Sequence, residues 1–362
     1  MERVWPGTQY ALRLVNFGSP LVRQRHDRGV LVNPQGFPDW EFHARALVRL
    51  GDPPAGLTVD EIRVVDVLAA NAVLRRDGTD PLFEGDDGDV PRTPQGWTWA
   101  HLGGRREVAL VPIELHASFR HAGGVSTLPL DRSVRGLRVD LEPVWAGVAP
   151  DIQQVPADVM AELEQALGYG LPPRYRGFLA QTNGAAPREP GVMPGFGFVA
   201  DQRFYGLARP DPAQDLIVAN QYTGDRFTEE FLGIGWVQGG TVAVKVHGED
   251  IDSIWYFDDD DDRADARDDA AGVAARLLHR CADSIEQFWN RLDRPAQPLL
   301  AAAADLASSG RAAQARPDGL GESLPPSHRA PWQPPRVPDE EYFSDPAIRL
   351  MLLRQDEPAE PA

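Results

Sequence analysis

Three of the chain's eight histidines, His101, His116 and His121, fall within twenty-one residues. Imidazole exchanges protons near neutral pH, and its neutral ring nitrogen is a good ligand for a divalent cation. Clustering of this kind could therefore build a metal-assisted hydrolytic site. The competing arrangement is three unrelated surface histidines around an aromatic core of Trp97, Trp99 and Phe119. Other chemical signals are weaker. Asp258–Asp262 is a run of five aspartates, but it lacks the spaced oxygen ligands and the glycine of a calcium loop and reads as a solvated turn. Gly233–Gly239 leads into strand patterns rather than a helix, which excludes a dinucleotide fingerprint. Ser118 and Ser126 lack the Gly-x-Ser-x-Gly context of a hydrolase elbow. Cys281 reads as a small buried residue on a helix rather than a nucleophile.

The elements that must position these residues follow from local pattern. Gln9–Asn16 reads as a strand and Asn33–Trp40 as a Gly/Pro-structured turn. Leu57–Asn71 is the first good helix: Thr58 can cap it, Glu61 completes a capping box, and Ile62, Val65, Leu68 and Ala69 form one stripe. Asp77–Gln95 reads as an acidic loop and Val108–Val111 as a short strand. Pro112–Arg120 reads as a short helix that Pro112 can start. A strand-like run, 134–145, precedes a Gly/Pro-marked linker candidate, Ala146–Val155. Pro156–Leu167 is a helix with Val159, Leu163 and Leu167 on one face; a second helix starts at Pro172–Pro173 and stops at Asn183–Gly184. Residues 192–200, 215–222, 241–248 and 252–258 read as strands, and Asp269–Leu292 as one long helix. After Asp293 the composition drifts to Ala, Pro, Ser and Arg, as expected of a disordered tail with one amphipathic patch, Pro346–Leu353.

Charge divides the chain. Residues 1–150 carry 17 arginines against 19 acids, whereas the remainder carries 19 basic and 35 acidic groups. The second half should therefore repel nucleic acid and favour a basic partner. No apolar run reaches the ~18–20 residues of a membrane span, and a single cysteine excludes a disulfide framework, so a reducing cytoplasm is the expected setting.

The stretch Trp97-Thr98-Trp99-Ala100-His101, then Leu110-Val111-Pro112, Leu115-His116 and His121-Ala122-Gly123-Gly124, resembles the WHH group of HNH-type toxin nucleases. Gly36-Phe37-Pro38-Asp39-Trp40 and Asn71 are similar to the group's upstream turn and helix end. The resemblance implies an HNH-like fold of the ββα-metal type. It also implies His101 as general base, with His116 and His121 as candidates for contact with metal and phosphate. Ala100 departs from the pattern, standing where the family carries the first of its paired histidines, and a methyl group has no lone pair for a cation. A divalent metal (Mg, Zn or Ni) is expected only if this domain is active.

Leu163–Gly184, with Leu-Gly-x-x-Leu-Pro and a terminal Asn-Gly, resembles the opening of the SUKH (Smi/Knr-like) superfamily. Phe231–Gly240, the two strand runs after it and the closing CADSIEQFWNRL fit that family's strand pairs and final helix. The expected architecture is thus α+β in two domains: 1–150 nuclease-like, 151–293 SUKH-type, then the tail, 294–362. The resemblance implies an immunity protein that neutralises a toxin nuclease by protein–protein binding; the charge makes that nuclease basic, Trp236, Trp255 and Tyr222 are aromatic candidates for anchors, and Ala100 makes the nuclease-like domain inactive. The alternatives are an active metal-dependent nuclease fused to its own immunity domain, and a SUKH-type regulatory scaffold.

Overall fold

The structure, a computed structural model, describes residues 14–15, 20–26, 29–32, 37–41, 43–77, 81–83, 88–103, 106–121, 123–124, 154–207, 209, 211–223, 226–259 and 270–313. Strand β1 (Leu14–Val15) pairs antiparallel with β2 (Val30–Leu31) around helix α1 (Pro20–Arg25). After β3 (Ala46–Arg49) comes α2 (Val59–Asp77). It begins where the sequence requires: the Thr58 hydroxyl accepts the Glu61 N–H at 3.2 Å, and the Glu61 carboxylate accepts the Thr58 N–H at 2.8 Å. The stripe expected on one face is wider in fact, because α2 is buried nearly all round. Strands β4 (Trp97–His101) and β5 (Glu107–Pro112) form a hairpin that leads into the short helix α3 (Ile113–His116).

The second half opens with α4 (Ala157–Leu167) and α5 (Pro173–Thr182). Asn183 closes α5 in the left-handed region at φ 44°. Gly184 follows at φ 76°, and a Cβ there would lie 2.3 Å from the Phe204 carbonyl oxygen, so only glycine fits. The short pair β6 (Gly191–Val192) and β7 (Val199–Ala200) precedes α6 (Leu216–Tyr222). Strand patterning of 215–222 predicted wrongly here. Leu216, Ala219 and Tyr222 are the buried residues, a spacing of three, and the Asp215 carboxylate caps the helix by accepting the Ile217 and Val218 N–H groups.

Next come β8 (Phe231–Val237), β9 (Gly240–Lys245) and β10 (Ile254–Asp258). The long helix expected over 269–292 is three elements: α7 (Ala270–Leu277), β11 (Leu278–Ala282) and α8 (Ile285–Asn290). β11 pairs with β10 to complete the antiparallel order β11-β10-β9-β8, and Ser284 restarts helix by capping α8. Cys281 is buried, as expected, but on this strand, donating to the Ile254 carbonyl.

The stretch after Asp293 does not begin as a tail. Helix α9 (Gln297–Ser309) packs along α2, and β12 (Arg311–Ala313) pairs with β3, giving the first sheet its order β12-β3-β5-β4. The chain therefore leaves its first sheet, builds the second half and returns to finish the first. One buried cluster includes Trp40, Ala109, Val111, Leu115 and Phe119 from the first half and Trp236, Val242 and Tyr256 from the second. A second cluster unites α2, the first sheet and α9. The fold is α+β. The strand-like run 134–145, nearly all of the linker candidate and residues 314–362 lie outside the described residues.

Candidate functional site

The pleat of β4 sorts its residues. Trp97 and Trp99 join the cluster around α2, while Ala100 joins the cluster shared with the second half. His101 follows the tryptophans: its Nε2 lies 3.2 Å from the Asp66 carboxylate on α2. Asp66 is fully buried and also accepts both guanidinium Nη groups of Arg106, at 2.7 and 2.8 Å. Burial alone would raise the Asp66 carboxyl; the hydrogen bonds and charges of His101 and Arg106 outweigh it and hold the group below the ordinary carboxylate range. Asn71 orients the motif tryptophan by accepting the Trp99 indole N–H at 2.8 Å.

His116 and His121 meet edge to face at 4.7 Å between ring centroids. Trp40 stacks on His116 at 5.1 Å and meets His121 edge-on at the same distance. His121 is anchored through Nδ1, 3.1 Å from the Phe119 carbonyl oxygen. Burial, then the nearby His121, Arg226 and His101, push His116 well below the ordinary imidazole range, so it is neutral. The closing glycine has a steric reason: a Cβ on Gly124 would lie 2.2 Å from the His101 carbonyl oxygen.

The three histidines line one cleft with Trp40 and Arg63, and its opposite wall is Gln238, Gly239 and Asp259 of the second half. The space left is about 20 Å³, enough for a water or a bare ion and far too little for a nucleotide. Both sequence arrangements hold in part: the histidines converge, and the aromatic residues around them form core. The donor set does not fit a divalent cation. Ala100 offers a methyl group, the His101 Nε2 is directed at Asp66, and among the described residues no group of three or more His, Cys, Asp or Glu side chains is placed to hold a metal.

The cover over the cleft is polar and specific. The Gln238 carbonyl accepts the Thr98 hydroxyl at 2.8 Å and the Trp99 N–H at 3.1 Å, and its amide donates to the Trp97 carbonyl at 3.3 Å and to Asp201 at 3.0 Å. Arg226, wholly buried, donates to the Ala117 carbonyl at 2.7 Å and pairs with Asp259 at 2.9 Å. Arg63 pairs with Asp258. Arg25 pairs with Asp211 at 2.7 Å and with Glu114 at 3.3 Å; burial and then Glu114 raise the Asp211 carboxyl, against the pull of Arg25. Asp258 and Asp259 thus leave the expected solvated turn: Asp258 pairs across the halves with Arg63, and Asp259 holds Arg226, which itself reaches across to the Ala117 carbonyl, while Asp260–Asp262 lie outside the described residues.

Two of the candidate anchors are not available to a partner. Trp236 is buried, meets His116 edge-on at 5.6 Å and donates its indole N–H to Thr98 at 3.1 Å. Tyr222 is buried and donates to the Ala213 carbonyl at 2.7 Å. Trp255 alone is half-exposed, beside Phe231 at 5.5 Å. Sequence reasoning missed Asp66, Arg106, Arg226 and Gln238. Asp66 had a signal, a carboxylate set within the apolar run of α2, which demands a buried partner; Gln238 had none.

No described helix is long and apolar enough to cross a membrane. Among curated proteins, none matches the chain. Residues 91–129 match the family model of WHH, a nuclease of the HNH/ENDO VII superfamily with conserved WHH. Residues 155–291 match that of the SMI1/KNR4 family (SUKH-1). The chain thus joins an N-terminal WHH nuclease-type segment to a C-terminal domain of the SMI1/KNR4 (SUKH) family.

Proposed function

We propose that this chain is an immunity-type binding protein that neutralises a basic toxin nuclease by protein–protein contact in the cytoplasm, and that its own nuclease-type segment is non-catalytic. The observation that carries the reading is the narrow cleft: Gln238, Gly239 and Asp259 line it with His101, His116 and His121, leaving about 20 Å³, and Ala100 stands where the paired-histidine pattern needs a ligand. In this reading residues 1–150 serve the SUKH-type domain, 151–293, as a bound partner rather than as an enzyme. The excess of acids in the second half steers a basic protein inward and keeps nucleic acid off this domain.

Incubation of plasmid DNA with the purified chain and magnesium, manganese, zinc or nickel tests the first part. No cleavage above the metal-only control is expected. Cleavage that vanishes in His101→Ala would overturn it. Binding of the toxin nuclease encoded beside the gene tests the second part, with an association rate that falls steeply with salt and a dissociation rate that hardly changes. No binding at low salt would reject it.

One observation favours the second reading, a nuclease restrained by its own SUKH-type domain. The His101 imidazole is still oriented by Asp66, itself clamped by Arg106, as a general base would require. If that reading held, Arg226→Ala and Asp259→Ala, which loosen the cover, would switch on metal-dependent cleavage; the leading proposal expects both variants to stay inactive.

A further inference from the structure

Away from the histidine cleft, a cavity of about 440 Å³ opens where the start of α2, the turn between β6 and β7 and the start of α9 meet. Leu57, Val64, Met193, Phe196 and Leu299 make its walls apolar, and its size lies within the range of about 300–1,000 Å³ typical of ligand sites. Its rim is acidic on balance, with Asp60, Glu61 and Asp293 against Arg294; Arg294 is paired with Asp89 at 3.2 Å, Asp60 with Arg63 at 3.4 Å, and Glu61 serves the capping box. The walls come from the first half, the second half and α9 together.

The chain carries a segment of matching chemistry. The described chain ends at Ala313, and forty-nine residues follow. They hold one strongly apolar run, Ala347-Ile348-Arg349-Leu350-Met351-Leu352-Leu353-Arg354, with two arginines and no acid. Ile348, Leu350, Met351, Leu352 and Leu353 make it apolar throughout, and Arg349 and Arg354 are its only charges. Reach is ample. The cavity lies at the start of α9 and β12 follows its end, so roughly one helix length, ~20 Å, separates Ala313 from the cavity. The intervening residues 314–346 could span on the order of 100 Å if extended.

We propose that Ala347–Arg354 docks in this cavity, its apolar side chains against Leu57, Phe196 and Leu299 and its arginines toward the acidic rim. Occupation would fasten α9 and both halves with a segment of the same chain. Hydrogen exchange on the full chain tests this. The amides of Leu350–Leu353 should exchange about tenfold or more slower than in a chain carrying Met351→Asp and Leu352→Asp. They should lose that protection in Leu299→Glu, a half-buried position, with circular dichroism and urea unfolding run alongside to show that the variant is folded. A labelled peptide of residues 344–357 should bind the chain truncated after Asp345 and not the full chain. Unprotected amides in the full chain, protection that survives Leu299→Glu, or a peptide that binds both forms equally would each overturn the proposal. So would occupation of the cavity by a peptide of residues 1–13 in its place.

Discussion

Gln238 shows how much one side chain can carry. Its amide spends both ends on groups that have no water to fall back on, the Thr98 hydroxyl, the Trp99 N–H, the Trp97 carbonyl and Asp201. Gln238→Ala should therefore cost about 2–4 kcal/mol, because it strands buried donors and acceptors instead of merely deleting bonds. Urea unfolding measures this, and a loss under about 0.5 kcal/mol would mean that solvent reaches the seam. The buried histidines set the response to acid. Burial, helped by His26, pushes His43 down to about 3, and His116 is likewise depressed. In the unfolded chain each takes up a proton near pH 6.5, while the folded chain refuses it. Stability is thus complete above that pH and falls as pH drops through it, by up to about 1.4 kcal/mol per unit for each group, until the folded pKa is reached. Unfolding free energies at pH 7 and pH 5 should differ accordingly, and His116→Gln should flatten the slope.

Among the elements, α9 and β12 matter more than their length suggests. Leu306 and its neighbours cover α2, and β12 occupies the edge of β3. A chain ending at Asp293 should lose cooperative unfolding, and Leu306→Ala alone should cost about 2–4 kcal/mol, measured by thermal or urea denaturation. Elements with local signals could be read from the sequence: the Thr58–Glu61 box of α2, the double proline before α5 and the Asn-Gly after it, and the histidines that do converge. Elements decided by distant partners could not. Leu278–Ala282 carries a helical pattern, yet β10 recruits it into a sheet. Residues 297–309 are good helix formers, but only contact with α2 makes them ordered structure rather than part of a tail. The cover over the cleft was illegible for the same reason, since Thr98 and Gln238 meet only after both halves have folded.

At the scale of the molecule, the two halves are joined by buried arginine–carboxylate pairs, Arg25 with Asp211, Arg63 with Asp258, and by Arg226 on the Ala117 carbonyl. A specific protease site inserted between residues 130 and 150 should therefore yield, after cutting, two fragments that co-elute in gel filtration. They should stay together even in about 1 M salt, because buried pairs are poorly screened. Fragments that separate without denaturant would show the seam to be weak. This salt resistance contrasts with the salt-sensitive capture expected of an external toxin, so one titration distinguishes the internal seam from the outer face.

The return of the chain to its first sheet has a consequence for synthesis on the ribosome. β4 and β5 emerge early, but their sheet lacks its outer strand until Arg311–Ala313 has been made, roughly 200 residues later. At about 5–20 residues per second, translation takes on the order of 10–40 s to cover that distance. Throughout that interval β3 keeps one edge unpaired, and by the time its last strand arrives Gln238, Arg226 and Asp259 have already been made. The order of manufacture thus delivers the last strand of the first sheet only after the groups that cover the histidine cleft have been made.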